Sequence, residues 1–224
     1  MVDSKREVTR VDGSRYIVVE GVLGVGKTSL CEEMAKALNA RLILEATEEN
    51  PFLPKFYQDP RGYAFQTQIF FLLNRYRQQQ EIAQGDLFRR NQVCDYLFSK
   101  DRIFAYLNLD ENELTLYERL CGLLNEQVLK PDLVIYLQAS TDVLQQRLAH
   151  RGRAYEKALG RDYLERVNQA YNHFFFHYQD TPLLVVNTND IDFVRSKDDL
   201  QDLLQYVAGM GKGTQYYNPY GKRS

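Results

Sequence analysis

The segment YIVVEGVLGVGKTS, residues 16–29, decides the fold of this chain. A short apolar run leads into a complete G-x-x-x-x-G-K-[ST] pattern, and apolar residues at helical spacing follow it. In such a strand–loop–helix unit, glycine-rich backbone wraps a phosphate with its N–H groups, the lysine reaches the β- and γ-phosphates, and the threonine hydroxyl can ligate Mg²⁺. The segment therefore predicts a nucleoside triphosphate site that is formed by Gly21, Gly24, Gly26, Lys27, Thr28 and Ser29.

The rest of the chain alternates short apolar runs with helical patterns. Strand-like runs occupy residues 41–44, 93–97, 133–137 and 183–186, with helical patterns between them. This alternation predicts an α/β P-loop fold of three layers, in which a parallel sheet of about five strands is flanked by helices on both faces. We expect one domain at residues 15–208. A short extension precedes it at 1–14, and a flexible tail without periodicity follows it at 209–224.

Composition argues against several classes of protein. The 224 residues carry a formal net charge of −2, which is unlike a general binder of nucleic acid. No apolar run approaches the ~18–20 residues of a membrane span, and the first ten residues contain no apolar stretch typical of a secretory signal. Cys31, Cys94 and Cys121 lie far apart, without the spacing of metal ligands, and are expected to be buried or inert thiols. The sequence thus predicts a cytoplasmic protein without nucleic-acid or membrane partners.

Binding a triphosphate is common to GTPases, motors and kinases. A GTPase carries an Asn-Lys-x-Asp motif after a later strand, but here the apolar run at 133–137 continues into Gln-Ala-Ser-Thr at 138–141. The chain is also small for a motor. A kinase of small molecules remains, and it requires an acceptor site, a general base and a mobile lid that contains arginine.

Five segments in a fixed order carry a resemblance to a known family. They are GVLGVGKTS at 21–29, EATEENPFL at 45–53, FQTQIFFLLNRYR at 65–77, DYLFSKDR at 95–102 and RLAHRGRAYE at 147–156. This set resembles the deoxyribonucleoside kinase family, and most closely its bacterial deoxyadenosine/deoxyguanosine kinase branch. The resemblance extends from about residue 16 to residue 186. It implies that the domain at 15–208 transfers the γ-phosphate of ATP to the 5′-hydroxyl of a deoxyribonucleoside.

The resemblance also implies which residues act on the transferred phosphate. Glu45 ends the second predicted strand and corresponds to the general base that takes the proton of the 5′-hydroxyl. Asp95 corresponds to an acidic residue that serves Mg²⁺ together with Thr28. The segment RLAHRGR resembles the lid whose guanidinium groups, with Lys27, balance the charge that develops on the phosphate. The arginines of this segment are Arg147, Arg151 and Arg153.

Recognition of the nucleoside is implied in the same way. Gln68 and Arg75 lie two turns apart on one predicted helix, so they share a face. In the family this pair reads the edge of the nucleobase, and Asp101 corresponds to the aspartate that supports the arginine. Tyr57 and Glu156 correspond to the pair that holds the sugar 3′-hydroxyl. The pattern favours deoxyadenosine or deoxyguanosine, with deoxycytidine as an alternative.

One position departs from the family. The family places an arginine after the acidic residue at the end of the third strand, where it contacts the catalytic glutamate and the acceptor phosphate. Here Asp95 is followed by Tyr96, which cannot supply that positive fork. Three alternatives follow: compensation by Lys100, Arg102 or a lid arginine, reduced turnover, or a different acceptor.

The main hypothesis is therefore an ATP- and Mg²⁺-dependent deoxynucleoside kinase of nucleoside salvage. A nucleoside monophosphate kinase is one alternative, although it would need a further arginine for the monophosphate. A catalytically weak nucleotide-binding sensor is another, and the tyrosine at position 96 motivates it. Apolar-faced helices between residues 62 and 129, the region through which family members pair, imply a homodimer.

Overall fold

Parallel strands form one sheet in the computed structural model, which describes residues 15–84, 91–125, 128–151, 160–191, 193 and 196–218. The order of the strands across the sheet is β2-β3-β1-β4-β5-β6, and all neighbours run parallel. The carboxyl ends of the strands therefore meet at one edge, where ligands bind in open α/β sheets. The six strands are β1 (Tyr16–Gly21), β2 (Arg41–Ile43), β3 (Gln92–Cys94), β4 (Leu133–Gln138), β5 (Leu183–Asn187) and β6 (Thr214–Tyr217).

The central strands β1 and β4 are apolar on both faces. All six residues of β1 are buried, as are the first five of β4. Ile17 pairs with Leu133, and Val19 pairs with Ile135. Continuous runs of Val, Ile and Leu are typical of parallel strands that helices cover on both sides. Burial of these two apolar strands holds the middle of the sheet in place, including the edge formed by their carboxyl ends.

Helices cover this sheet and extend beyond it on the side of β3. The packing of α3, α4 and α5 forms a second, smaller core of Leu72, Phe98, Ala105, Tyr117 and Cys121. Among the described residues the helices are α1 (Lys27–Ala37), α2 (Leu53–Phe56), α3 (Pro60–Gln84), α4 (Asp101–Asn108), α5 (Glu111–Asn125), α6 (Thr141–Arg151), α7 (Arg161–Phe176) and α8 (Lys197–Ala208).

The predicted α/β fold with a parallel, helix-flanked sheet is confirmed, but the C-terminal segment corrects one detail. Thr214–Tyr217 forms β6, where the sequence predicts a flexible tail, so the sheet has six strands in the described residues. Pairing with β6 satisfies the outer edge of β5, and Leu183 N donates to Gly213 O over 3.0 Å. The ring of Tyr217 also packs against Tyr206, with centroids 5.2 Å apart.

The third strand is shorter than its sequence predicts. β3 ends at Cys94. Asp95 N still donates to Ile43 O of β2, but Leu97 N donates to a carboxylate on β1 instead of a strand neighbour. Asp95 therefore lies at the sheet edge. The three cysteines are free and buried, as expected. No described helix is both long and apolar enough to cross a membrane.

Candidate active site

The loop between β1 and α1 has the backbone of a phosphate cradle. Gly24 and Gly26 have φ angles of 84° and 107°, left-handed values that strain a residue with a Cβ. A Cβ at Gly24 would also lie 2.9 Å from Leu148 Cγ. Helix α1 begins at Lys27 without a side-chain cap, so its first N–H groups face an anion site. Lys27 Nζ donates to Gly21 O over 2.7 Å, which keeps the ammonium group over the loop.

One aspartate connects this cradle to the neighbouring strand ends. Thr28 Oγ1 donates to Asp95 Oδ2 over 2.9 Å, and Asp95 Oδ1 accepts the N–H of Glu45 over 2.7 Å. Hydroxyl and carboxylate oxygens are the ligands that Mg²⁺ prefers, so Thr28 and Asp95 form a donor pair that fits this ion.

Glu45 lies two residues beyond β2, and two cations share its carboxylate. Its Oε1 accepts from Arg75 Nε over 2.7 Å and from Nη2 over 2.5 Å, while its Oε2 accepts from Lys100 Nζ over 2.8 Å. Burial alone would raise the pKa of Glu45, but Arg75 and Lys100 together lower it to about 2. The carboxylate is therefore an anion at neutral pH and can accept a proton.

The arginine of this pair also binds a second carboxylate. Arg75 Nη1 forms an ion pair with Asp101 Oδ1, and Gln68 Nε2 donates to Asp101 O over 2.8 Å. All three residues are at least 95% buried. The structure thus brings the predicted residues Gln68, Arg75 and Asp101 together, across the contact between α3 and α4.

A buried glutamate on β1 belongs to the same cluster. Glu20 is fully buried, and it accepts the N–H groups of Gly21 over 2.9 Å and Leu97 over 2.8 Å. The Tyr171 hydroxyl donates to it over 3.4 Å, and Lys100 Nζ lies 3.6 Å away. Glu20 belongs to none of the motifs that predict site residues. The available signal was a charged residue inside a strand that is otherwise apolar on both faces.

These groups surround one cavity at the sheet edge. Lys27 and Glu45 line it beside the P-loop, and three of the predicted substrate-binding residues, Tyr57, Gln68 and Arg75, line it as well. The other lining residues, most of them apolar or aromatic, are Leu23, Thr47, Leu53, Phe56, Ala64, Thr67, Phe71, Lys100, Phe104, Asn108, Tyr163 and Tyr171. An apolar cavity with a few convergent polar groups is typical of a site for a small organic molecule.

Residues 17–210 match the family model described as deoxynucleoside kinase. The chain belongs to the deoxynucleoside kinase family. Deoxyguanosine kinase of Bacillus subtilis (strain 168) is 32% identical over 197 residues, which are 86% of this chain and 95% of that protein. Deoxyadenosine kinase of Dictyostelium discoideum is 32% identical over 210 residues, which are 91% of this chain and 82% of that protein.

A solved structure of a family member has the same fold. Deoxyadenosine kinase from M. mycoides with bound dATP aligns with a TM-score of 0.74 and 25% identity, over 87% of this chain and 100% of that chain. The predicted enzyme class, a deoxynucleoside kinase that transfers phosphate from ATP, is confirmed at the level of the family.

Arg147 of this deoxynucleoside kinase lies on the other side of the P-loop. Its Nη1 donates to Val25 O over 3.1 Å, and its Nη2 donates to Thr188 O over 2.6 Å and to Ile191 O over 3.3 Å. The guanidinium group thereby joins the P-loop to the segment after β5. The structure does not bring Arg147 to the cavity of Glu45. It lines a second cavity with Gly24, Val25, Gly26, Ser29, Ile191 and Phe193.

The rest of the predicted lid is described only in part. Arg151 is the exposed last residue of α6. Arg153 and Glu156 lie outside the described residues of the kinase, so their predicted contacts with phosphate and with the sugar remain predictions.

Tyr96 stands where the resemblance implies an arginine, but its side chain does not reach the cavity. It is fully buried in the main core of the kinase and does not line the cavity. Arg102, which was a candidate to compensate for the missing arginine at position 96, does not line the cavity either. Lys100 is present, with its ammonium group on Glu45.

Proposed function

We propose that this kinase transfers the γ-phosphate of ATP to the 5′-hydroxyl of a purine deoxyribonucleoside, deoxyguanosine or deoxyadenosine, with deoxycytidine as a weaker acceptor. The observation that carries the proposal is the common cavity of Lys27 and Glu45. A phosphate-binding ammonium group and an ionised carboxylate face one space, which is the arrangement that phosphate transfer to an alcohol requires. Relatives that are named deoxyguanosine kinase and deoxyadenosine kinase support the choice of acceptor.

The chemical step follows from Glu45 and the residues of the P-loop beside it. The 5′-hydroxyl oxygen attacks the γ-phosphorus of ATP, its proton moves to Glu45, and the bond to the β-phosphate oxygen breaks to release ADP. Lys27 exchanges its bond to Gly21 O for phosphate oxygens. Bound by Thr28 and Asp95, Mg²⁺ would supply further positive charge to the phosphates.

The wall that α3 contributes to the cavity suits a nucleobase. Gln68 and Arg75 present amide and guanidinium groups at a wall of aromatic side chains, and Asp101 fixes the plane of the arginine. The Thr67 hydroxyl is buried at this wall without a hydrogen-bond partner in the described residues, so a polar group of the nucleoside would satisfy it. Tyr57, which lines the same cavity, is assigned to the sugar.

The second cavity suits the donor nucleotide. It lies beside Gly24, Gly26 and Ser29, on the side of the P-loop that faces away from Glu45. We assign it to the base and ribose of ATP. Arg147 would then act by holding the P-loop against the segment after β5.

A panel of acceptors tests this function. Formation of nucleoside monophosphate from ATP is measured with deoxyguanosine, deoxyadenosine, deoxycytidine, thymidine and dAMP. The two purine deoxyribonucleosides are expected to give kcat/KM values at least about tenfold above thymidine. Turnover of dAMP alone would indicate a nucleoside monophosphate kinase. ATP binding without turnover of any acceptor would indicate a sensor.

Apolar side chains on α3 and α5 support a homodimer. Leu73 is 53% exposed, and Leu116 and Leu123, two turns apart on α5, are 48% and 73% exposed. A two-fold contact of these helices would bury them. Sedimentation should give twice the 26.2 kDa of one chain, and Leu123→Glu should give a monomer. Free, buried thiols support a cytoplasmic location, because such thiols are typical of reducing compartments.

A further inference from the structure

A buried lysine lies beside the proposed general base. Lys100 ends the short 3-10 turn Phe98–Lys100 before α4 and is only 3% exposed. Burying an ammonium group is costly, and an ion pair in a protein interior often contributes little net stability. A lysine in this position is therefore better explained by what its charge does in the cavity than by stability.

The hydrogen bonds of Glu45 show where this charge acts. Oε1 already accepts two hydrogen bonds from Arg75, whereas Oε2 accepts one, from Lys100. A carboxylate oxygen has two lone pairs in its plane, so Oε2 retains the capacity to accept another donor. Oε2, which can accept a hydrogen bond from the substrate hydroxyl, is thus also the oxygen that is bonded to Lys100.

Two carboxylates keep Lys100 charged in this environment. Burial lowers the pKa of its ammonium group, but Glu20 and Glu45 raise it more, and the net shift is upward. Glu20 is itself fixed by two backbone N–H groups on β1 and beside β3. The position of the ammonium group is therefore set by the sheet and not by the flexible stem of the lysine.

Within the described part of the chain, neither Tyr96 nor Arg75 can take over this contact. Tyr96 is buried in the core, and Arg75 is shared with Asp101 on the wall assigned to the nucleobase. When Arg75 binds a nucleobase, this contact competes with the hydrogen bonds that Arg75 donates to Glu45. Lys100 then remains as the cation on the carboxylate, and it lines the same cavity as Lys27.

We propose that Lys100 is the positioning residue of the general base: it holds Oε2 of Glu45 toward the 5′-hydroxyl and supplies the positive charge that Tyr96 cannot. The proposal rests on the proposed function. In the step, the hydroxyl proton moves to Glu45, the new O–P bond forms as the bond to ADP breaks, and Lys100 keeps its protons throughout. A basic side chain six residues beyond the end of β3 thereby replaces the one that the resemblance implies at position 96.

Steady-state kinetics of four proteins test this role. They are the wild type, Lys100→Met, Lys100→Arg and the control Lys36→Met, which removes an exposed lysine of α1 that pairs with Glu33. Lys100→Met should lower kcat with the best deoxyribonucleoside by about 10²-fold, the effect of removing one electrostatic contact at a reacting group. The KM for ATP should stay within about threefold. Lys100→Arg should recover at least about tenfold of the lost kcat, and Lys36→Met should match the wild type.

The outcomes separate this role from the proposed function. Wild-type turnover reports on the proposed function alone, and an inactive wild type would overturn both. An active wild type with a folded Lys100→Met of unchanged kcat overturns only the role of Lys100. Failure of Lys100→Arg to exceed Lys100→Met would do the same, since a charge effect should follow the charge. If circular dichroism shows Lys100→Met to be unfolded, Lys100→Gln, which keeps a hydrogen-bond donor without the charge, is judged by the same criteria.

Discussion

The two ends of the cavity are built in different ways. The phosphate cradle comes from one continuous segment, and its shape depends on the left-handed backbone of Gly24 and Gly26. The acceptor end consists of side chains from β1, α3, α4 and the segments after β2 and β3. Its charged members are Glu20, Glu45, Arg75, Lys100 and Asp101.

This difference determines what each end can tolerate. In the cradle, Lys27 bonds to backbone carbonyls, and burial lowers the pKa of its ammonium group although Glu20 opposes this. At the acceptor end every charge is balanced by an opposite charge, so removal of one residue leaves its partner buried and unpaired. Changes there should affect both folding and catalysis, whereas changes in the cradle should act mainly through nucleotide binding.

The largest expected effect is on the rate at the acceptor end. Glu45→Gln removes the proposed proton acceptor and should lower kcat by about 10²- to 10⁴-fold. The Kd for ATP should stay within a few-fold, because the cradle is unchanged. Kinetics and calorimetric titration measure the two quantities. Glu49→Gln, an exposed change in the same segment, is the control, and a near wild-type rate in Glu45→Gln would remove this residue from the mechanism.

Two arginines of α3 should contribute very differently to the free energy of unfolding. Arg75→Met leaves the carboxylates of Glu45 and Asp101 buried without their shared partner and should cost about 3–5 kcal/mol. Arg77 is 65% exposed and lies 3.8 Å from Glu49, so Arg77→Met should change stability by less than about 0.5 kcal/mol. Urea unfolding measures both values. Equal midpoints for the two variants would show that the charges at the acceptor end are not coupled as described.

The acceptor end should also make stability depend on pH. The pKa of Glu45 is about 2 in the folded protein, below its ordinary value of 4.5, so its contribution is complete above pH 4.5 and is lost as the pH falls toward 2. Glu45→Gln should therefore be less stable than the wild type at pH 7, by about 3 kcal/mol, and the difference should shrink below pH 4.5. Urea unfolding at a series of pH values tests this, and a difference that does not change with pH contradicts it.

The smallest effect compares two glycines of the cradle. Alanine is strained at both positions, at a cost of about 1–2 kcal/mol, but a Cβ at Gly26 meets no atom within 4 Å, whereas one at Gly24 meets Leu148 at 2.9 Å. Gly24→Ala should therefore be less stable than Gly26→Ala by a further 1–2 kcal/mol or so. Thermal unfolding ranks the two variants. The reverse order would mean that backbone strain outweighs the contact with α6.

The same difference explains how far the sequence could predict the site. The P-loop is local, and its glycines, lysine and threonine could be recognised from one segment. Gln68 and Arg75 share a helix face, so helical periodicity sufficed to pair them. Lys100 meets Glu20 and Glu45 only because three strand ends converge, and no spacing along the chain encodes these contacts.

Two other features depended on tertiary contacts. Thr214–Tyr217 has too short a pattern to indicate a strand, and it becomes one because the edge of β5 is available for pairing. Arg147 was expected in a lid because its segment, RLAHRGR, resembles the lid of the family. Its position is set instead by carbonyl groups of the P-loop and of the segment after β5, which are distant in sequence.

The two hydrogen bonds of Asp95 have a mechanical consequence. One reaches a side chain on the first turn of α1, and the other reaches the main chain of Glu45. In the proposed mechanism, the helix next to the donor phosphates and the backbone of the proposed proton acceptor are thereby coupled through one side chain. The distance over which the phosphoryl group would move thus depends on a carboxylate that need not touch the nucleoside.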